Sequence, residues 1–266
     1  MSGDEVMVFV VSAITAAVSW LRWLWQATAV ARRSSGAADR AWLFGGPLAG
    51  FAVLAYVLRF LAADDVKNSS IYLAFYAVMG AAWVGLALRF LPIVGISPRD
   101  DVIERGNRAA GTAVAGAVIG LTLCFAGGNI GNGPGWWVVT YAAGLSTVTW
   151  FVLWGILAGR SGAADSVTID RDPASGLRAA GFFVATGLIL GRAVAGDWVS
   201  SAATVRDFIV LGWPALLLLA GAFFLEKTFA PTPQRPAPSV VVHGWLPAAF
   251  YVGLAVFVVA EAGRPW

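Results

Sequence analysis

Eight apolar runs, each close to the length of a bilayer crossing, constrain this chain more than any other feature. A hydrocarbon core takes about 20 apolar residues per helix. The runs fall at roughly 6–28, 42–62, 71–90, 107–127, 136–158, 177–196, 207–225 and 245–262. Backbone groups in lipid must pair within their own segment, so such runs are read as helices. A β-barrel would need short alternating strands, and no such alternation is present. The expected fold is therefore all-α, a polytopic transmembrane helix bundle of eight helices. Composition agrees. Of 266 residues, 59% are hydrophobic and 12% charged, against about 25% charged in soluble proteins. That excludes an ordinary soluble enzyme, a disordered chain and a nucleic-acid binder. The first run does not read as a secretory signal, because Asp4 and Glu5 stand where such a leader carries basic residues.

Basic residues set an expected orientation. Arg32, Arg33 and Arg40 lie between runs 1 and 2. Arg89, Arg99, Arg105 and Arg108 surround the junction of 3 and 4, and Arg160, Arg171 and Arg178 that of 5 and 6. Lys227 and Arg235 lie between 7 and 8. The opposite side carries Arg59, Lys67, Arg192, Arg206 and Arg264. The positive-inside bias then places both termini outside. Trp20, Trp23, Trp25 and Trp42 beside the first basic loop, with Trp136, Trp137 and Trp245, fit interfacial belt positions. Residues 230–239, Ala-Pro-Thr-Pro-Gln-Arg-Pro-Ala-Pro-Ser, read as a semi-rigid strap.

A short motif recurs. Gly106-Asn107-Arg108-Ala109-Ala110-Gly111 opens run 4, and Gly176-Leu177-Arg178-Ala179-Ala180-Gly181 opens run 6. A fainter copy, Gly46-Pro47-Leu48-Ala49-Gly50, opens run 2. Each precedes a helix, a polar segment and a second, more aromatic helix, so runs 2–3, 4–5 and 6–7 read as parallel hairpin repeats, with runs 1 and 8 as additions. Residues 1–95 would hold the first three helices, 96–228 two hairpins, and 229–266 the strap and final helix. Small residues let helix backbones approach closely. Gly106, Gly111, Gly116, Gly120, Gly176, Gly181, Gly187 and Gly191 are the expected packing positions, with runs 4 and 6 at the centre. Arg108 and Arg178 should lie one turn inside the basic boundary, contacting headgroups or pairing with Glu104 or Asp172.

Residues 100–228 resemble the YjfL-like inner-membrane family of bacteria, a domain of unknown function. The resemblance rests on Asp101-Val102-Ile103-Glu104-Arg105 leading into Gly-Asn-x-Ala-Ala-Gly and an apolar helix. Leu177 departs from the pattern where the second motif would carry Asn. The resemblance implies a multi-helix membrane protein and a partner role in an envelope-stress or polyamine-related system.

Catalytic constellations are missing from the sequence: no HExxH, GxSxG, Walker loop or Rossmann glycine pattern occurs. The lone Cys124 and lone His243 support neither a cysteine cluster nor a histidine-rich metal site. Neither a cofactor nor a metal is implied, and the reading is non-enzymatic. Arg22, among Trp20, Trp23 and Trp25, reads as snorkelling to the basic face, with an anion-attracting cavity residue as the alternative. The polar segments at 63–68, 127–135 and 196–198 occupy equivalent places. The middle one reads as a turn, with a cation-coordinating dip into the membrane as the alternative. Asn107, Arg108, Asn129, Asn132, Arg178 and Asp197 are the candidate lining of a substrate or ion path. The expected role is a channel or permease for an ion or small solute; the rival is a non-catalytic anchor or sensor subunit. Expected partners are the lipid bilayer, further copies of the chain and a cytoplasmic protein. A wet crevice lined by Asn107, Arg108, Arg178 or Asn129 would favour transport, and a dry bundle an anchor.

Overall fold

The computed structural model describes residues 1–33, 37–232 and 239–263. Arg235, Arg264 and the middle of the proline-rich strap lie outside the described residues. The described chain is helical throughout, with no strand. Its helices are α1 (Gly3–Arg33), α2 (Ala37–Phe60), α3 (Asp64–Lys67), α4 (Ser70–Ala87), α5 (Arg108–Gly127) and α6 (Trp136–Ser161). They continue with α7 (Ala163–Thr168), α8 (Pro173–Ala193), α9 (Ser201–Gly212), α10 (Pro214–Phe229) and α11 (Leu246–Glu261). A 3-10 segment (Leu88–Val94) extends α4, and π turns precede α5 (Pro98–Glu104) and α11 (Val241–Trp245). Eight helical stretches are long and apolar enough to cross a membrane, so the chain is read as an integral membrane protein. The seventh is broken rather than continuous. Pro214 opens α10 directly after Trp213 ends α9, because proline donates no backbone hydrogen bond.

Contacts fix the directions. Between α2 and α5, Gly46 meets Ala115 and Gly50 meets Thr122. Between α5 and α8, Gly176 meets Ala109, Gly116 meets Ala180, Gly187 meets Gly120 and Gly191 meets Leu123. At α11, Gly244 meets Ala174 and Gly181 meets Ala248. Residue numbers rise together at each interface, so α2, α5, α8 and α11 form one row of parallel helices. The other helices run the opposite way. Phe9 of α1 stacks on Phe75 of α4, and Ser19 packs on Gly85. Trp83 of α4 donates to Thr147 of α6, and Trp154 of α6 donates to the Val94 carbonyl. Gly212 lies by Ala193 at the far end of α8, whereas Glu226 of α10 meets Arg178 near its start. Hence α9–α10 runs antiparallel to α8. Ala109 and Ala179 therefore face the same end of the bundle. The final span, read from sequence as an addition to the hairpin repeats, is the fourth member of the parallel row.

Backbone-to-backbone approach builds that row. A Cβ on Gly176 would stand 2.5 Å from the Ala109 carbonyl oxygen, and one on Gly181 2.6 Å from the Ala248 Cα. On Gly116, Gly120, Gly187 and Gly191 it would strike the Ala180, Phe183, Gly120 and Leu123 backbone. Two of the expected packing glycines act otherwise. Gly106 has nothing within 4 Å and adopts φ +62°. It is a turn residue before the helix, in a conformation only glycine takes cheaply. Gly111 meets Val102 of the π turn at an ordinary 3.5 Å and Trp42 of α2 at 3.8 Å, with no backbone in close approach.

The opposing row packs through larger side chains. Trp150 and Trp154 of α6 are fully buried against Phe182 and Phe183 of α8. Trp150 donates its indole N–H to the Phe183 carbonyl at 3.0 Å, which satisfies an otherwise orphaned donor. As a result α5 and α8 are buried along nearly their whole length, while α1 exposes Val10, Ile14, Val18 and Leu21. In a bilayer such faces meet acyl chains.

Candidate functional site

Asn107 caps α5: its Oδ1 accepts from the Ala110 amide at 3.2 Å. Its Nδ2 donates to the Val167 and Thr168 carbonyls at 2.8 and 3.3 Å. The side chain is 2% exposed; its oxygen caps α5 and its amide nitrogen ties the start of α5 to the end of α7. It is a clamp. Arg108 follows as the first residue of α5 and is exposed.

Arg178 occupies the same motif position with the opposite outcome. Asp172 caps α8 and Pro173 opens it, so Arg178 is already the sixth helical residue. Its side chain is 0% exposed. Nε and Nη2 donate to the two carboxylate oxygens of Glu226 at 2.7 and 2.8 Å. Nη2 also donates to Ser175 Oγ at 2.9 Å, and Nη1 to the His243 carbonyl at 2.5 Å. The Ser175 hydroxyl in turn donates a hydrogen bond to Asp172 Oδ2 at 2.7 Å. The paired arginines are thus not equivalent. Arg178 pairs with Glu226, neither with Glu104, which holds Arg99, nor directly with Asp172. Nor does it reach lipid headgroups. Instead it bolts α8, α10 and the entry to α11 together.

Asn129, Asn132 and Asp197 lie at the other end, so the six candidate path residues divide between two sites. Asp197 Oδ1 accepts from the Asn132 amide at 2.7 Å and its Nδ2 at 3.0 Å. The Gly196 amide donates to the Ile130 carbonyl at 2.9 Å. These bonds tie the α5–α6 connection to the α8–α9 connection. The Gly-rich segment is a tethered turn.

Behind that turn is a cavity of about 280 Å³. Its lining includes Glu5, Asp65, Tyr72, Tyr76, Asn129 and Asn132, and no lysine or arginine. Helix α1 brings Glu5, whose carboxylate accepts from the Tyr72 hydroxyl of α4 at 3.3 Å and the Ser2 amide at 2.7 Å. The N-terminal ammonium lies 4.0 Å from the same carboxylate. Asn129, 5% exposed, turns Nδ2 back to the Phe125 carbonyl at 2.9 Å. Its buried Oδ1 has no hydrogen-bond partner. A buried acceptor without a donor costs about 1–3 kcal/mol, and the residue that carries it lines the cavity. Among the described residues no group of three or more His, Cys, Asp or Glu side chains could hold a metal ion. The chemistry available is weak, oxygen-based attraction of a positive group.

Glu5, Asp65, Tyr72, Tyr76 and Glu226 are not among the path residues expected from sequence, although Asp65 lies in the polar segment 63–68. Glu226 lies one residue beyond the apolar run at 207–225 and so reads as a loop residue. The signal that could have found it is the demand of a buried guanidinium for a counter-charge. Cys124 is fully buried and unpaired, as its apolar neighbours suggest. No protein-family model matches this chain, and no curated protein or solved structure matches it either.

Proposed function

We propose that this integral membrane protein takes up a small monovalent cation, an alkali ion or an alkylammonium group, at its acidic end as part of a permease-type activity. The observation that carries the reading is a cavity lined by Glu5, Asp65 and Asn129 with no basic side chain, beside which the buried Asn129 Oδ1 has no hydrogen-bond partner. Low-dielectric walls focus the field of such carboxylates and raise the local cation concentration. On this reading the acidic end faces outward and the arginine-rich end the cytoplasm, in keeping with the charge bias of the loops. The YjfL-like resemblance and the bacterial inner membrane belong to the same proposal.

A second reading has its own support. Backbone contact between α5 and α8 at successive levels leaves no passage between the two central helices of a single chain. That packing favours a non-conducting sensor or anchor subunit, with the cavity as its receptor site. Proteoliposome flux of potassium and methylammonium separates the two. Flux abolished by Asn129→Ala and Glu5→Gln supports the permease. Saturable binding without flux, lost in the same variants, supports the sensor. Neither binding nor flux refutes a cation site.

A further inference from the structure

At the opposite end, beside α1 and the end of α4, is a groove of about 420 Å³. Three arginines line it from three elements: Arg22 of α1, Arg89 of the 3-10 segment and Arg99 of the π turn. No aspartate or glutamate is among the lining residues. Arg22 lies within the apolar stretch Gly3–Thr28, where an unbalanced charge is costly and needs a counter-charge. The carboxylates of the adjoining turn are already engaged. Asp100 accepts from Ser97, Asp101 pairs with Arg105, and Glu104 pairs with Arg99 in an exposed bridge. Arg89 donates one Nη2 proton to Ser19 Oγ at 3.1 Å, which holds its guanidinium over the groove. Ser19 is close because residue 85 is glycine: a Cβ there would stand 2.6 Å from the Ser19 Cβ. The two indole N–H groups nearby are spent on the Ala81 and Leu43 carbonyls. What the groove offers is therefore guanidinium donors with excess positive charge, at the end of the bundle where helices leave the apolar zone.

We infer that this groove binds a phosphate group, either the headgroup of an anionic lipid or a soluble phosphate. Guanidinium forks match phosphate oxygens in pairs, and an anion would balance Arg22, which has no ion-pair partner among the described residues. This site is independent of the acidic-end cavity, and its test does not depend on flux.

The full chain, purified in neutral detergent, would be examined by native mass spectrometry with phosphatidylglycerol, phosphatidylcholine or inorganic phosphate. Retention of phosphatidylglycerol but not phosphatidylcholine, unaffected by inorganic phosphate, identifies a lipid headgroup site. Retention of inorganic phosphate, or its competition with the lipid, identifies a soluble phosphate site. Either should weaken about tenfold for each guanidinium removed in Arg22→Gln and Arg89→Gln. Arg160→Gln, an exposed arginine at the same end outside the groove, should retain the ligand as the parent does. Equal weakening in Arg160→Gln, no weakening in the groove variants, or no retention of either ligand overturns the assignment. Thermal midpoints of the variants, expected near the parent because these side chains are exposed, separate loss of binding from loss of fold.

Discussion

Replacing Glu226 with glutamine tests the tie between α8 and α10. The substitution is nearly isosteric and retains one acceptor for Arg178, but removes the negative charge. An interhelical hydrogen bond in a membrane protein contributes only about 0.6 kcal/mol on average. Breaking a buried ion pair from one side costs about 3–5 kcal/mol, because the surviving charge is left uncompensated. The second effect should win, since Arg178 is 0% and Glu226 4% exposed. The remaining compensation is indirect, through Ser175 to Asp172. That places the expected loss at the lower end, about 3 kcal/mol. Reversible unfolding in mixed micelles, followed by tryptophan fluorescence, would measure it. The double variant Arg178→Met, Glu226→Leu should recover most of the loss, because it leaves neither charge buried alone. A cost below about 1 kcal/mol for Glu226→Gln, or a double variant no better than its parents, would refute the argument.

Three further outcomes follow from the packing and the caps. Gly120→Leu drives a side chain into the Phe183 carbonyl and should prevent α5 and α8 from associating, read as loss of the folded species in size-exclusion chromatography. Gly221→Ala has open space and should be neutral or stabilising by about 0.5 kcal/mol. Asn107→Ala removes a cap worth about 1 kcal/mol and the donors to Val167 and Thr168. Hydrogen exchange should accelerate at residues 163–172 and not at 128–135. In a Cys124→Ala background, single cysteines at Asn132 and Arg160 should react with an impermeant maleimide from opposite faces of the membrane; labelling from one face would contradict the hairpin geometry.

Much of the architecture could be read from residues. Run length locates all eight spans, and the Gly-x-Arg-Ala-Ala-Gly pair identifies α5 and α8 as the buried centre, with Gly116, Gly120, Gly187 and Gly191 at the contact. What escapes is whatever depends on where a helix begins. The motif suggests that Arg108 and Arg178 share a depth. Yet Asn107 caps one helix directly before its arginine, while Asp172 and Pro173 start the other more than a turn earlier. That offset buries one guanidinium and exposes the other. An aspartate followed by proline is a helix-start signal, but the apolar run begins only at Leu177. The acidic-end cavity is illegible for another reason. Glu5, Asp65 and Asn129 are far apart in sequence, and only the relative placement of α1, α3 and the end of α5 brings them together.

Because each pair of spans leaves from and returns to one face, sidedness is conserved in units of two spans. Excising the segment from α5 through α6, or splicing in a duplicate, would leave every downstream segment with its native sidedness. Removing an odd number of spans would turn the remainder upside down. A protein assembled this way can lengthen or shorten in evolution by whole pairs and stay correctly threaded at every step.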